Sequence, residues 1–300
     1  MNVLIIGAGF SGKAIGQRCA DEKIAVAGTT RSEGKLETLS ECGIAPILFD
    51  GVTISAPLRS ALQNCKHLVV SIAPPREEAE DPSAPVDPTL IAFGGEPLTA
   101  VMPNLQWVGY LSTVGVYGNA DGAWIDEEAE LSPTSARSRQ RVRAEREWQE
   151  AARAAGIPLA IFRLSGIYGP GRNALMSAHK GKTRRLIKPG QVFNRIHVDD
   201  IATAVTKAAH GNIGGVFNVT DHEPAPPQDV VAYAHTLMGK DLPPEQDFDT
   251  ADLTPMARSF YGDNKRVSNA RSRSVLNMTY QWPDYRVALD AMWRDGTWKR

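Results

Sequence analysis

The amino-acid sequence predicts an α/β fold, a doubly wound parallel sheet of about seven strands with a smaller C-terminal α/β lobe. Three observations carry this expectation. Short apolar runs alternate with helix-length segments over the first two-thirds of the chain, several runs are apolar throughout, and a glycine-rich turn joins the first run to the first helical segment. Strands covered by helices on both faces lose the alternation of a half-exposed sheet. Continuous apolar runs separated by helices therefore read as parallel strands joined by crossovers.

In chain order the candidate strands are NVLIIG (2–7), AVAGTT (25–30), APILFD (45–50), HLVVSIA (67–73), WVGYLST (107–113), LAIFRLS (159–165) and GVFNVT (215–220). Helical segments are expected over 12–22, 135–155 and 199–209. Two stretches break the rhythm. PPREEAEDPSAPVDP (74–88), acidic and proline-rich, reads as a long solvated loop leading into a helix. Residues 222–253 are proline-bounded and helical in the middle, and 266–292 read as a helix, a short extended piece and another helix. Residues 1–170 are thus expected to form a nucleotide-binding domain to which 194–220 return, and 171–300 mainly a smaller substrate-side lobe.

A chain of 300 residues can bury a sizeable core. With 42% hydrophobic and 22% charged residues and a formal net charge of -1, it has the composition of a soluble globular protein, with no global field to draw nucleic acid or an anionic membrane. Cys19, Cys42 and Cys65 form no CxxC pair and read as small core residues, against a disulfide framework or a metal site. The opening MNVLIIGAG has no charged n-region and its apolar run is too short to span a bilayer, so the protein is expected in the cytoplasm.

Gly7, Gly9 and Gly12 make G-x-G-x-x-G directly after the first strand and at the start of the first helix. In that setting Gly7 permits the tight turn, Gly9 lets the backbone approach a pyrophosphate, and Gly12 lets the helix pack close, with the amides of Phe10, Ser11 and Gly12 facing the anion. A site preferring NAD carries an acid at the end of the second strand. Here Arg31 takes that place, with Thr30, Ser32 and Lys35 around it, which favours the 2′-phosphate of NADP over NAD; a solvated turn is the other reading of Arg31. Asp50 is placed to accept from the adenine amino group, and Ser71, Ile72 and Ala73 to pass beneath the ribose.

The segments GAGFSGKAIG, STVGVYG, IFRLSGIYGPGR and FNRIHVDDIATAV occur in one order and spacing that resembles the extended short-chain dehydrogenase/reductases, the family of nucleotide-sugar epimerases and dehydratases. The resemblance runs from residue 2 to about 220 and, more faintly, to about 290. It implies a Rossmann-type sheet with the C-terminal lobe closing over the nicotinamide end. It further implies that Thr113 is the catalytic hydroxyl that bonds the substrate oxygen, and that Ser112, Leu164 and Ser165 contact the cofactor. Arg195 and His197 fall on the strand that returns near the substrate, with Tyr168, Arg172 and Trp124 on the same side. Thr113 as an ordinary strand-end hydroxyl and His197 as a satisfied core histidine are the plainer alternatives.

Redox members of that family carry P-x-x-x-Y-x-x-x-K-x-x-x-E on the helix after the fifth strand, where the tyrosine exchanges a proton with the substrate. Laid on PTSARSRQRVRAE, Pro133 and Glu145 match, Arg137 takes the tyrosine slot and Arg141 the lysine slot. A guanidinium stays protonated and cannot replace the phenol. Arg137 and Arg141 could instead contact the cofactor or an anionic ligand, and Tyr117 or Tyr168 could supply the proton. The plainer expectation is a helix face of i,i+4 pairs, Arg141 with Glu145, Arg143 with Glu147 and Arg146 with Glu150. The sequence therefore predicts an NADP-binding oxidoreductase or isomerase acting on a small-molecule substrate or anionic ligand, as a monomer or homodimer. The alternative is a non-catalytic NADP-binding regulator.

Overall fold

The computed structural model describes residues 2–75, 81 and 84–299, with the side chain of Met256 left aside. Much of the loop read over 74–88 thus lies outside the described residues. Seven strands form the central sheet: β1 (Asn2–Ile6), β2 (Ala25–Thr30), β3 (Ala45–Leu48), β4 (His67–Val70), β5 (Trp107–Thr113), β6 (Leu159–Leu164) and β7 (Gly215–Val219). Their spatial order is β7-β6-β5-β4-β1-β2-β3, and every neighbouring pair is parallel. The chain winds outward from β1 to β3, then crosses back to lay β4 on the other side of β1. The crevice beyond the carboxyl ends of β1 and β4 is the switch point where such sheets take ligands.

The continuous apolar runs have a direct cause. Val3 and Ile5 of β1 point into one core with Ile15, Trp107, Phe162, Ile201 and Phe217, while Leu4 and Ile6 point into another with Leu58, Leu62, Leu68, Tyr110 and Trp148. Both faces are dry, so neither residue parity is polar. The Phe10–Asp21 and Val198–His210 helices pack together over the first core, and the Ala136–Ala155 helix covers the second.

The Ala174–His179, Pro227–Leu237 and Tyr285–Arg294 helices enclose a separate core around Leu175, Val230, Ala234, Leu289, Met292 and Trp298. Between these helices the chain re-enters the first core through Leu276, Met278 and Tyr280. Asp200, fully buried, fastens that return, its carboxylate accepting from the amides of Gln281 at 2.9 Å and Trp282 at 3.1 Å. Cys19 and Cys65 are buried, and burial pushes both thiols up to about 12, which makes them inert. Cys42 is only half-buried, at the C-cap of the short Leu36–Glu41 helix. Among the described residues no helix is long and apolar enough to cross a membrane.

Candidate functional site

The loop after β1 gives each glycine a separate physical reason. Gly7 has φ +94°, a conformation open to glycine, and a Cβ there would lie 2.6 Å from Cγ2 of Ile72. A Cβ on Gly12 would lie 2.5 Å from the carbonyl oxygen of Gly7, so only glycine lets the helix lie this close to β1. A Cβ on Gly9 would meet nothing within 4 Å: that face of the loop is open. Gly9 is also the N-cap of the Phe10–Asp21 helix and offers no side-chain cap, which leaves the first-turn amides of Phe10, Ser11 and Gly12 for an anion. The loop is pinned from β2, where the Thr29 hydroxyl accepts from the Gly7 amide at 2.8 Å and the Thr29 carbonyl from Ala8 at 2.7 Å.

Arg31 follows β2 directly and is exposed, beside exposed Ser32, whose amide donates to the Thr30 hydroxyl at 3.2 Å. Asp50, just past β3, accepts from the amides of Val52 (2.8 Å) and Thr53 (2.7 Å) through one oxygen, and these bonds hold its carboxyl below the usual range. Ser71, Ile72 and Ala73 continue from β4, and Ile72 packs beneath Gly7.

Past this loop lies a cleft of about 900 Å³ between the sheet and the C-terminal lobe. It brings together many residues singled out from the sequence: Ala73, Ser112, Thr113, Arg137, Arg141, Leu164, Ser165, Tyr168, Arg172 and Arg195 all line it. Thr113 ends β5, where its hydroxyl accepts from the Gly115 amide at 3.1 Å. Opposite stands the Ala136–Ala155 helix, capped by the Ser135 hydroxyl and closed by Gly156 at φ +65°.

That helix is not the ladder of internal ion pairs the spacing suggested. Glu145 is turned inward, 2% exposed, and its carboxylate binds the Arg163 guanidinium at 2.8 Å and the Ser112 hydroxyl. Glu147 accepts instead from the amides of Val86 (2.8 Å) and Asp87 (2.9 Å), and Arg143 donates to Gln140 and the Ala84 carbonyl. Long-range partners won because isolated exposed pairs contribute only about 0.2–0.5 kcal/mol each, less than a buried charge demands. Arg141 Nη1 donates to the carbonyl of Leu111 at 2.9 Å and the hydroxyl of Tyr110 at 3.0 Å, while Arg137 lies over the exposed Phe260 ring at 5.4 Å.

Tyr117, Trp124 and His197 lie away from the cleft wall. Tyr117 is 3% exposed, its hydroxyl held between Arg163 Nη1 (2.9 Å) and Asn218 Oδ1 (2.8 Å), and burial pushes its pKa up. It belongs to the network that buries Glu145. Trp124, 61% exposed, pairs in a short parallel ladder with Arg266. His197 is buried under Tyr168 and Trp282, with Nδ1 capping the Val198–His210 helix and Nε2 unpartnered beside Gly169 and Phe10. Arg195 donates to the carbonyls of Phe193 and Ala225, and Arg172 lies over the Phe10 ring at 5.6 Å, which ties the cleft to the glycine loop. The Tyr168 hydroxyl is unpartnered, and burial raises its pKa strongly.

Ser138, Asn194 and Lys265 are among the lining residues that the sequence did not single out. Ser138 follows Arg137 and accepts from the Ser135 hydroxyl at 2.9 Å; Asn194 bonds the Lys265 carbonyl. Lys265, 6% exposed, reaches in from the C-terminal lobe to donate to the Gly118 carbonyl and to Asp263 at 3.4 Å, and burial lowers its pKa. Nothing in the neighbourhood NKRVS marks this lysine, which arrives from across the fold. Among the described residues, no group of three or more His, Cys, Asp or Glu could hold a metal ion.

A pH prediction follows from His197. Burial lowers its pKa to about 4 from an ordinary 6.5, against the opposing pull of Asp199. The unfolded chain therefore binds the extra proton between those values, and the stability due to the neutral ring, full above 6.5, is lost as pH falls toward 4. Burial lifts Asp200 to about 6 and Asp221 to about 8, which gives the opposite slope, so the readout is a difference. Asparagine keeps a capping oxygen at this position. His197→Asn is expected to lose less stability than wild type between pH 6.5 and 4 in urea titrations; parallel pH curves would show that the ring does not carry this slope.

Residues 3–220 match the model of the NAD dependent epimerase/dehydratase family. A comparison with curated proteins returns no match. Among solved structures, a functionally unknown conserved protein from Silicibacter pomeroyi is 44% identical, with 98% of this chain and 99% of that one covered at a TM-score of 0.85. UDP-glucuronic acid 4-epimerase from Bacillus cereus, in complex with NAD, is 17% identical over 98% of this chain and 96% of that one, with a TM-score of 0.77. dTDP-glucose 4,6-dehydratase from Bacillus anthracis, also in complex with NAD, is 18% identical over 99% and 97%, with a TM-score of 0.75. The last two likenesses are likenesses of fold. With its seven-stranded sheet, its glycine loop and a family match over residues 3–220, the chain belongs to the NAD-dependent epimerase/dehydratase family.

Proposed function

We propose that the protein binds NADP(H) and works as an oxidoreductase or isomerase on a small carbonyl, hydroxyl or sugar-like substrate, with a proton relay other than the tyrosine of its relatives. The observation that carries the nucleotide site is the phosphate loop: a face open at Gly9, uncapped amides of Phe10, Ser11 and Gly12, and a helix drawn in by Gly12. Arg31, with the hydroxyls of Thr30 and Ser32, would hold the 2′-phosphate, and Asp50 the adenine amino group. Ser71, Ile72 and Ala73 would underlie the ribose, with Ser112, Leu164 and Ser165 at the nicotinamide end. The cofactor supplies the hydride chemistry.

Thr113 is the hydroxyl placed to bond the substrate oxygen. Arg137 cannot exchange a proton, and burial makes Tyr168 a reluctant one to ionise. Lys265 is the cleft-lining lysine, and burial loosens its proton, which suits it to donate to that oxygen.

Thermal stabilisation by NADP, NADPH, NAD and NADH in parallel tests the reading. Saturation at a hundred times Kd should add about 2.7 kcal/mol. The largest shift is expected with the phosphorylated pair, and no shift with any of the four sinks the proposal. Arg31→Asp should then weaken NADP by about ten- to a hundredfold, the worth of a charged hydrogen bond, and spare NAD. Unchanged preference would remove Arg31 from the site.

A further inference from the structure

We infer that Arg137 and Arg141 form a clamp for an oxyanion group of the substrate, so that the ligand taken beside Thr113 carries a carboxylate or phosphate. This inference rests on the nucleotide-dependent reading above and narrows its substrate class. The two arginines stand one helical turn apart on a single face, and both line the cleft. The one carboxylate that helix spacing would offer them, Glu145 four residues after Arg141, is engaged elsewhere by Arg163 and Ser112.

Arg141 is held in place before any ligand arrives. One nitrogen is fixed by the Leu111 carbonyl and Tyr110 hydroxyl, and the guanidinium lies 5.6 Å from the centre of the Tyr110 ring. Both of these bonds to described residues run through Nη1, which leaves Nε and Nη2 as a planar donor edge suited to two oxygens. Arg137 stands in the first turn of the helix, where no acidic residue accompanies it and the macrodipole disfavours a cation. An anion bound there would relieve both.

The rest of the cleft has the same sign. Arg172, Arg195 and Lys265 line it, whereas Asp263 is the lining carboxylate and already accepts from Thr134 at 2.9 Å and Lys265 at 3.4 Å. A cleft with this excess of fixed positive charge, partly shielded from solvent, draws anions and discriminates against neutral analogues.

The test titrates the full chain with malonate, inorganic phosphate and malonamide, the uncharged counterpart of malonate, at constant ionic strength and with or without saturating NADP. Binding is read by calorimetry and thermal stabilisation. Malonate or phosphate is expected to bind saturably and malonamide not to. Malonate ahead of phosphate assigns a carboxylate substrate, and the reverse a phosphorylated one. Arg137→Gln should weaken the bound anion about tenfold or more. Arg141→Lys, which keeps the charge and the reach to Leu111 but loses the fork, should weaken it as well. Equal anion binding by wild type and both variants, or no preference over malonamide, overturns the clamp. Failure of the nucleotide reading would show separately, as absent stabilisation by NADP alone.

Discussion

Replacing Glu145 by glutamine is expected to destabilise the protein by about 3–5 kcal/mol, because it leaves the Arg163 guanidinium charged, buried and without its counter-ion. Arg163 is 5% exposed and Glu145 2%, and their bidentate contact is the centre of a network that runs from Ser112 through Glu145, Arg163 and Tyr117 to Asn218. This network stitches the Ala136–Ala155 helix to β5, β6 and β7 beneath the cleft. Ser112 precedes Thr113, so loosening Glu145 should also move the end of β5 and weaken nucleotide binding. Replacing both members, Glu145→Leu with Arg163→Leu, should recover much of the lost stability, since it removes the stranded charge along with its partner. Chemical denaturation of the two variants checks this. A single variant within about 1 kcal/mol of wild type would mean that water or another carboxylate compensates Arg163.

Gly12→Val should abolish stabilisation by NADP and cost about 1–3 kcal/mol of folding stability, the usual penalty for forced overpacking. The added Cβ would meet the Gly7 carbonyl at 2.5 Å and Cγ2 of Ile5 at 3.1 Å, so either the helix or the loop must retreat. Gly9→Ala is the informative companion. Gly9 has φ -78°, which alanine adopts, and a Cβ there touches nothing within 4 Å. This variant should fold as wild type and lose nucleotide affinity alone, because its methyl group projects into the open space proposed above for the pyrophosphate. If Gly9→Ala binds NADP as wild type does, the open face of the loop is not the phosphate site.

The fold was largely legible in the sequence because its signals are local. Each of the seven apolar runs became a strand of the sheet, shortened at its carboxyl end by up to a few residues where the loops of the site begin. The glycine loop was legible for the same reason: turn, approach and packing are decided within a dozen residues. Its neighbours Arg31 and Asp50 could be placed because strand ends fix them.

The arginine helix shows where local reading stops. Spacing assigned Glu145 to Arg141 and Glu147 to Arg143, yet neither pair forms, since burial gives a carboxylate far more to gain from a distant arginine or free amides than from an exposed neighbour. Tyr117 sat close to Thr113 in the chain but turned into the core. Lys265, more than a hundred residues away, came to the cleft through the return of the C-terminal segment.

The sequence by itself determined the alternation of strands and helices, the order in which a parallel sheet could be wound, and the backbone freedom of the glycine loop. Those depend on periodicity and on which residues have a Cβ. Only the tertiary structure decided which charges are neutralised and which are left facing the cleft. Counter-charges are chosen by desolvation across the whole fold, and that choice left Arg137 and Arg141 turned toward the cleft.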